Sequence, residues 1–425
     1  MQSYLSHLRS FSREARLFLL ALTIFAFASS VPGIFFNLYL QALGFDRTFI
    51  GVTATVSQLG GAVASIPAAY LLDVIGRQRS AVAGALLAIV TAIATLLATS
   101  PVMILAIQAL SGPGIVLYAL AVVPLLAEAS TPRERTTLFS TVEGLTTLAL
   151  FFGSLIAGGL PALAAPLLGT GVESAEAYRA VMLGSLALRA IGVIPLALIG
   201  DRPRPPAGAP AHPRTISYFN PRVLMKLETP VWKYVLPLLL TYLGGSLIFP
   251  FLNLYLKQRF GVSDVLLGAV FGGINLAVGL FTLFGPFVAQ ALGRELAVAL
   301  GAFFSAACII LIGFGSAFAV VAAVVVLRAG LFNMTLPLYR ALVIDRTPPH
   351  EYVVVNLIYS TAVNVGPTVA PSVSGYVQDH AGFAPLFVAA AALYAVAGAL
   401  YRLATRAKAA AFKVPDDLSA EHTEV

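Results

Sequence analysis

The chain carries the same four residues twice. Asn37 to Leu40 reads Asn-Leu-Tyr-Leu, and the same letters return at Asn253 to Leu256, 216 positions later. Downstream residues repeat at nearly the same spacing, 217 positions apart: Gly44 and Gly261, Gly51 and Gly268, Gly76-Arg77 and Gly293-Arg294, Pro132 and Pro349, and Glu134 and Glu351. Because these matches share almost one offset, the sequence predicts two similar halves in parallel order.

Long apolar runs fill both halves. Hydrophobic residues make up 59% of the chain and charged residues 11%, whereas soluble proteins have about a quarter charged residues. The runs are about 20 residues long, enough for a helix to cross a hydrocarbon core of roughly 30 Å. The ten-residue alternation of outer-membrane barrels is absent. We predict an all-α integral membrane protein whose twelve spans lie near 15–43, 49–72, 80–99, 102–127, 137–160, 177–200, 233–257, 265–290, 296–315, 317–344, 352–377 and 384–404.

The spans divide the chain into two bundles. Residues 1–200 form the first six-helix bundle and residues 232–404 the second, and the repeat predicts a pseudo-two-fold relation between them. Residues 201–231 are polar, with a proline-rich stretch at 202–210, and form the predicted cytoplasmic linker. Residues 405–425 form a charged tail.

The loop charges predict the orientation. Most Lys and Arg residues fall in alternate loops, and only Arg47, Arg179, Lys257 and Arg259 fall on the other side. By the positive-inside rule, both termini are cytoplasmic, as in a multi-pass protein of a bacterial inner membrane. The net charge of +7 therefore reflects topology, and nucleic acid is not an expected partner because the basic residues are spread over every inner loop.

The loop between spans 2 and 3 carries a family signature. Residues 69–79 read Ala-Tyr-Leu-Leu-Asp-Val-Ile-Gly-Arg-Gln-Arg. This resembles the signature loop of the major facilitator superfamily, with Asp73, Gly76 and Arg77 in matching positions and Ala69 in place of its first glycine. The second copy has Gln290 where Asp73 would repeat. The resemblance implies two six-helix bundles and transport of a small solute by alternating access, with no cofactor.

The same resemblance implies a cytoplasmic gate. Its residues would be Asp73, Gly76 and Arg77, with Glu128 at the end of span 4 and its repeat partner Asp345. In the family this loop pairs with the second half near helix 11, and a carboxylate there can bond to a helix N-terminus or to Arg77. The alternative is that these are surface charges that follow the positive-inside bias.

Span 4 and span 5 carry partial signatures. Gln108 to Gly114 resembles the family's Arg-x-x-x-Gly-x-Gly element, with Gln108 in place of an arginine that is often linked to proton coupling. The glycines of span 5, including Gly153 and Gly158, only loosely resemble the pattern of antiporters. Small residues also let helices pack closely in any membrane bundle.

Polar residues at mid-membrane depth are candidates for solute binding. Arg328 and Asn333 lie on span 10 and Asn275 on span 8, helices that line the cavity in the family. Arg328 would favour an anionic solute, or it would hold helices together. Arg189 lies as deep on span 6, where packing is the favoured role. Further candidates are Gln58, Gln108, Tyr118 and Asn364, whereas the Tyr residues of the repeated motif fit an interfacial belt.

Glu143 is the one carboxylate that is clearly embedded. It lies about two turns into span 5. Burial raises the pKa of a carboxyl group and hydration lowers it, so Glu143 is a candidate proton-coupling residue as the cavity opens and closes. It could equally pair with a basic residue at the cytoplasmic mouth.

These features predict a secondary transporter of a small organic solute, with export of amphipathic compounds or metabolites favoured. The alternatives are a proton-linked importer of an anionic or sugar-like nutrient, and a transporter-like membrane sensor. An enzyme is not expected, because the five histidines lie in loops or tails without metal-ligand spacing, and no nucleotide-binding motif occurs. The expected partners are the solute, the lipid bilayer and, as a candidate coupling ion, protons; the expected state is a monomer without metal or cofactor.

Overall fold

A computed structural model describes residues 11–128, 130, 135–200 and 231–409 of the chain. Nearly all of the predicted linker and most of the predicted tail lie outside these residues. The described part is all-helical, as predicted. Its twelve long helices are α1 (Arg13–Ala42), α2 (Arg47–Ile75), α3 (Arg77–Leu97), α4 (Pro101–Glu128), α5 (Arg135–Leu168), α6 (Ala175–Ala197), α7 (Trp232–Phe260), α8 (Asp264–Leu292), α9 (Arg294–Phe314), α10 (Phe318–Asp345), α11 (Tyr352–Ala381) and α12 (Ala384–Ala409).

Eleven of the described helices are long and apolar enough to cross a membrane. The exception is α11, which has 30 residues and therefore the length but a more polar composition. Its hydroxyl and amide residues include Ser360, Asn364, Thr368 and Ser372. Twelve spans were predicted, and α11 is the one whose composition departs most from a lipid-facing helix.

Helix ends are set by capping residues. The side chains of Ser12, Asp46, Ser174 and Ser263 accept hydrogen bonds from backbone N–H groups in the first turns of α1, α2, α6 and α8, which satisfies donors that a helix leaves unpaired. α2 passes directly into α3 at Gly76, and α8 into α9 at its repeat partner. Both glycines have positive φ, 93° and 77°, a conformation that side chains disfavour. The tight turn explains the glycine of the signature loop.

Each half is a bundle with its own packing. In the first half α1 packs on α5 and α6, and α4 packs on α2 and α3. In the second half α7 packs on α11 and α12, and α10 packs on α8 and α9. The central helices of the two halves thus have corresponding neighbours, as a duplicated chain requires.

The repeated tyrosines make equivalent contacts in the two cores. Tyr39 donates a hydrogen bond of 2.8 Å to the carbonyl oxygen of Leu96, and Tyr255 donates one of 2.6 Å to that of Ile312. Both rings are buried, with 0% and 3% of their surface exposed. A buried Tyr hydroxyl needs a partner, and here each one joins the first helix of its half to the end of the third. The belt interpretation is therefore wrong for both residues.

The halves differ at their first helices. In α7 the helix is interrupted by a 3-10 turn, Phe249–Phe251, whereas α1 runs without a break past Pro32. Pro250 lies in the turn and lacks the N–H group that would continue the helical ladder. The break lies about a third of the helix length before the C-terminal end of α7.

Candidate functional site: a cleft between the halves

Two helix pairs make most of the contact between the halves. α5 packs on α8, and α2 packs on α11. Glycines let these helices approach closely, because a Cβ atom at Gly158 would lie 2.7 Å from the carbonyl oxygen of Asp264, and one at Gly268 would lie 2.5 Å from that of Ser154. Gly51 and Gly375 meet the backbone of the opposite helix in the same way in the α2–α11 pair. These contacts lie where α1, α5, α7 and α11 end, and we call this end of the molecule the sealed end.

The repeated asparagines bond to each other's helices at the sealed end. The amide nitrogen of Asn37 donates to the carbonyl oxygen of Pro250 at 2.6 Å, and that of Asn253 donates to the carbonyl oxygen of Ile34 at 2.7 Å. Each acceptor lies three residues before the other asparagine. The two side chains also approach each other, with 3.4 Å between the Asn37 nitrogen and the Asn253 oxygen. The contact is nearly self-complementary, as at a two-fold interface.

A charge cluster around one buried carboxylate closes one side of the sealed end. Lys257 forms an ion pair with Asp264, donates to the Tyr178 hydroxyl at 2.7 Å and lies 3.1 Å from a Glu173 oxygen. Tyr178 donates to Asp264 at 3.3 Å. Asp264 is only 4% exposed. Since Tyr178 and Glu173 belong to the first half and the other two residues to the second, the cluster must separate if this end opens.

A second charged contact closes the opposite side. The backbone N–H and the hydroxyl of Thr48 both donate to the carboxylate of Asp379, at 2.7 and 2.6 Å. Arg47 donates to the Gln378 carbonyl at 3.0 Å and to the Gln258 side chain at 2.6 Å. Asp379 thus meets the N-terminus of α2, where a negative charge is favoured.

The opposite end is open along the same helix faces. Residues three or four apart share a helix face, so the contact stripe of α5 continues from Gly158 through Ser154, Phe151 and Thr147 to Glu143. Thr147 still touches Gly279 of α8, but Glu143 is exposed. Further toward the open end, positions 62 and 66 of α2, 282 and 286 of α8, and 361 of α11 are also exposed. The halves therefore enclose a cleft that is open at the end where α2 and α8 finish.

Four predicted site residues lie on these stripes. Asn275 donates to the hydroxyl of Ser154 across the α5–α8 pair at 3.2 Å. Gln58, its equivalent in the first half, is exposed and follows Thr55, whose hydroxyl accepts from Ser372 of α11 at 2.7 Å. Asn364 and Glu143, both exposed, lie on α11 and α5. Gln58, Glu143, Asn275 and Asn364 thus come from the four helices that border the cleft, and we call them the cleft ring.

Arg328 is not on these stripes. It is 4% exposed, and its guanidinium donates to the hydroxyl of Tyr394 on α12 at 2.7 Å. Its central carbon lies 3.8 Å from the centre of the Phe249 ring and 5.2 Å from that of Phe332. Asn333 donates to the Ala329 carbonyl of its own helix at 2.8 Å. Arg328 therefore fills an aromatic cage inside the second half and supports the turn that interrupts α7.

The α4 candidates lie within the first half. Gln108 is buried, and Tyr118 packs edge-on against Phe25 of α1, with ring centres 5.4 Å apart. Arg189 of α6 lies close to Tyr118. The structure does not bring these residues to the cleft ring.

The predicted gate residues pair within their own halves. Arg77 forms an ion pair with Glu128, and Arg294 forms the equivalent pair with Asp345. Asp73 is exposed at the end of α2. Pairing across the halves stays a prediction for the state in which the open end is closed.

Sequence reasoning missed the residues of the sealed end. Arg47 and Lys257 were assigned only as exceptions to the charge bias, and Asp264 and Asp379 were not singled out. The repeated asparagine was the available signal, because an amide in both copies of a motif at the same end of two adjacent helices can bond across their axis.

The sequence matches a known family over both halves. The family profile described as Major Facilitator Superfamily matches residues 18–241 and again residues 238–418. The chain belongs to the major facilitator superfamily. No curated protein matches its sequence.

Solved structures of this superfamily share the fold. A mutant form of the nucleoside transporter NupG superposes with a TM-score of 0.71 at 15% identity, over 95% of this chain and 100% of that chain. A D-xylose-proton symporter gives 0.68 at 14% identity, over 92% and 96%. A bacterial homologue of the human lysosomal transporter Spinster, in an inward-facing and occupied conformation, gives 0.71 at 14% identity, over 92% and 96%. The protein is thus a multi-pass membrane protein of a transporter superfamily.

Proposed function

We propose that this protein is a secondary transporter that exports an amphipathic organic solute by alternating access. The observation that carries the proposal is the cleft, which is sealed by cross-half contacts at one end and exposed at the other. A solute that enters at the open end would lie among the cleft ring. Separation of the sealed end would then release it on the other side.

The orientation of the cleft is proposed from the loop charges, and the preference for an amphipathic solute from the lining. We place the open end in the cytoplasm, with both termini, because the basic loops lie there. The cleft ring supplies few polar groups among apolar stripe residues such as Ala62 and Ile66, which suits an amphipathic molecule more than a heavily hydroxylated one. We propose that the protein works as a monomer in the inner membrane.

Protons are the proposed coupling ion. The chain has no nucleotide-binding motif, so uphill transport needs an ion gradient, and Glu143 is the carboxylate that borders the cleft. We expect an ionophore that collapses the proton gradient to abolish uphill transport, and we expect Glu143→Gln to do the same. Gradient-driven transport that survives in Glu143→Gln would remove the residue from the coupling step.

A reversible cross-link tests alternating access. Thr55 and Ser372 lie on opposite halves with hydroxyl oxygens 2.7 Å apart, so cysteines at both positions can form a disulfide at the sealed end after buried Cys308 is replaced by Ala. We expect oxidation to stop transport of fluorescent amphipathic dyes into vesicles, and reduction to restore it.

The single variant Thr55→Cys, treated with the same oxidant, is the control and should keep its activity. A cross-linked double variant that transports at the uncross-linked rate would contradict the proposal. So would a wild-type protein that moves no dye of positive, neutral or negative charge.

A further inference from the structure

We infer that the solute carries a positive charge and that the carboxylate of Glu143 is its counter-charge. This inference rests on the proposed function, because it names the class of molecule that the cleft accepts. It follows from which charged side chains reach the cleft and from which hydrogen-bonding groups remain free there.

Five charged residues lie five or more residues inside the described transmembrane helices. They are Glu143, Arg189, Arg328, Arg340 and Arg402. A charge at this depth is costly unless it faces water or a partner. Their positions therefore decide the charge of the cleft.

Arg328 does not offer its charge to a solute. Its guanidinium is enclosed by the rings of Phe249, Phe332 and Tyr394, whose faces stabilise a cation. An anion would reach it only if the turn of α7 moved away. The arginine thus occupies an aromatic cage that in other settings would hold a ligand cation.

The other three arginines lie on helices other than the four that border the cleft. Arg189 lies on α6, which packs on α1 and α3, and its side chain lies beside Tyr118. Arg340 is exposed near Tyr359, five residues before the end of α10. Arg402 lies on α12 and lines a pocket at the open end. Both residues therefore lie near the mouth of the open end, close to the basic residues of the inner loops.

Glu143 has the opposite placement. It is exposed, and it follows Thr147 on the stripe of α5 that faces α8. A side chain four residues further along the same face points into the gap where the two helices part. Among the described residues of the four stripes, Glu143 is the charge that lies five or more residues inside its helix, whereas Asp73 on the α2 stripe lies two residues before the helix ends.

The neutral groups of the cleft also favour a cation. The amide nitrogen of Asn364 donates to the Ser360 carbonyl of its own helix at 2.7 Å, and Asn275 donates to Ser154. Since a carbonyl oxygen can only accept, the Asn364 amide must turn its nitrogen toward it and leave its own oxygen free. The cleft therefore presents a carboxylate and a free amide oxygen as acceptors, beside the amide of Gln58, which can both donate and accept.

Two lipophilic ions of matched shape test the inference. Tetraphenylphosphonium and tetraphenylborate differ mainly in the sign of their charge, and their binding to the purified full-length protein can be measured separately by calorimetry at one pH. We expect the phosphonium to bind at least ten-fold tighter than the borate. Glu143→Gln should weaken phosphonium binding at least ten-fold and leave borate binding equal or stronger, and Glu143→Asp should give an intermediate loss.

The control is Glu176→Gln, which removes an exposed carboxylate from the first turn of α6 and should bind the phosphonium as the wild type does. Thermal unfolding without ligand shows whether each variant folds, and Glu143→Asp keeps the test valid if the Gln variant does not. Tighter binding of the borate, binding of neither ion, or unchanged phosphonium binding in Glu143→Gln would overturn the inference. Transport of dyes without charge preference would overturn it and leave the proposed function standing, whereas absence of all dye transport would remove the function.

Discussion

At the scale of single residues, depth in the membrane and direction within the bundle are separate properties. The sequence placed Arg328 near mid-membrane and Glu143 about two turns into its span, and the structure places them ten residues after the start of α10 and eight after the start of α5. The sequence could not say which way either points, because successive residues of a helix turn by about 100° and neighbours in space come from helices far along the chain. The Arg328 side chain points into its own half, whereas Glu143 lies on the helix face that borders the cleft. Glu143 therefore replaces Arg328 as the main charged candidate for solute binding.

The cage of Arg328 gives a stability prediction. Tyr394→Phe removes the hydroxyl that accepts the guanidinium hydrogen bond and leaves a buried donor unpaired. We expect a loss of roughly 1–3 kcal/mol in the free energy of unfolding, seen as a lower melting temperature in detergent. Tyr376→Phe on α11, where the ring is exposed, is the matched control; an equal effect of the two changes would show that the hydrogen bond contributes nothing.

At the scale of helices, the duplication and the apolar runs were enough to predict twelve spans and two bundles. The pairing of α5 with α8 and α2 with α11 was not predictable, since it depends on which face each helix turns to the other half. Gly153 and Gly158 illustrate this: both belong to the glycine-rich span 5, but Gly153 packs on α1 inside its half and Gly158 packs on α8 across the seam, the interface between the two halves. Only the structure separates the two roles.

Adjacent glycines on α5 give a matched test of the seam. A Cβ atom at Gly158 would meet the α8 backbone within 3.1 Å, whereas one at Gly159 would meet nothing within 4 Å. We expect Gly158→Ala to weaken the sealed end, lower transport several-fold and increase labelling of a cysteine at Ser372 by an impermeant maleimide from outside. Gly159→Ala should resemble the wild type, and equal labelling of the two variants would count against a seam that depends on close approach.

At the scale of the whole molecule, the protein is two bundles that touch at one end. In the described part of the chain, the ion pairs at the open end lie within halves, among them Arg77 with Glu128 and Arg294 with Asp345, so the bundles can change their relative tilt there without breaking these pairs. Opening the sealed end, in contrast, requires the Lys257 cluster and the Asp379 contacts to separate. The equilibrium between the conformations that are open at one end or the other therefore depends on the contacts at the sealed end.

Distances between spin labels test this motion. Tyr70 on α2 and Phe287 on α8 are exposed residues near the open end of different halves. We expect their label-to-label distance to shorten by several ångström when tetraphenylphosphonium shifts the protein toward the state with a closed cytoplasmic end. Labels at Tyr70 and Leu97, both in the first half, should keep their distance; a change there of the same size would indicate that the bundle itself deforms.

The crossed hydrogen bonds of Asn37 and Asn253 bear on how such a chain can arise. Their acceptors are backbone carbonyls, at Ile34 in one half and Pro250 in the other, and every residue type supplies a backbone carbonyl. Side chains at the acceptor positions are therefore free to drift apart, while each donor must stay an amide. A single asparagine in an ancestral half would have made both hydrogen bonds at once when two copies paired. No further substitution was then needed to form these bonds after the copies were fused into one chain.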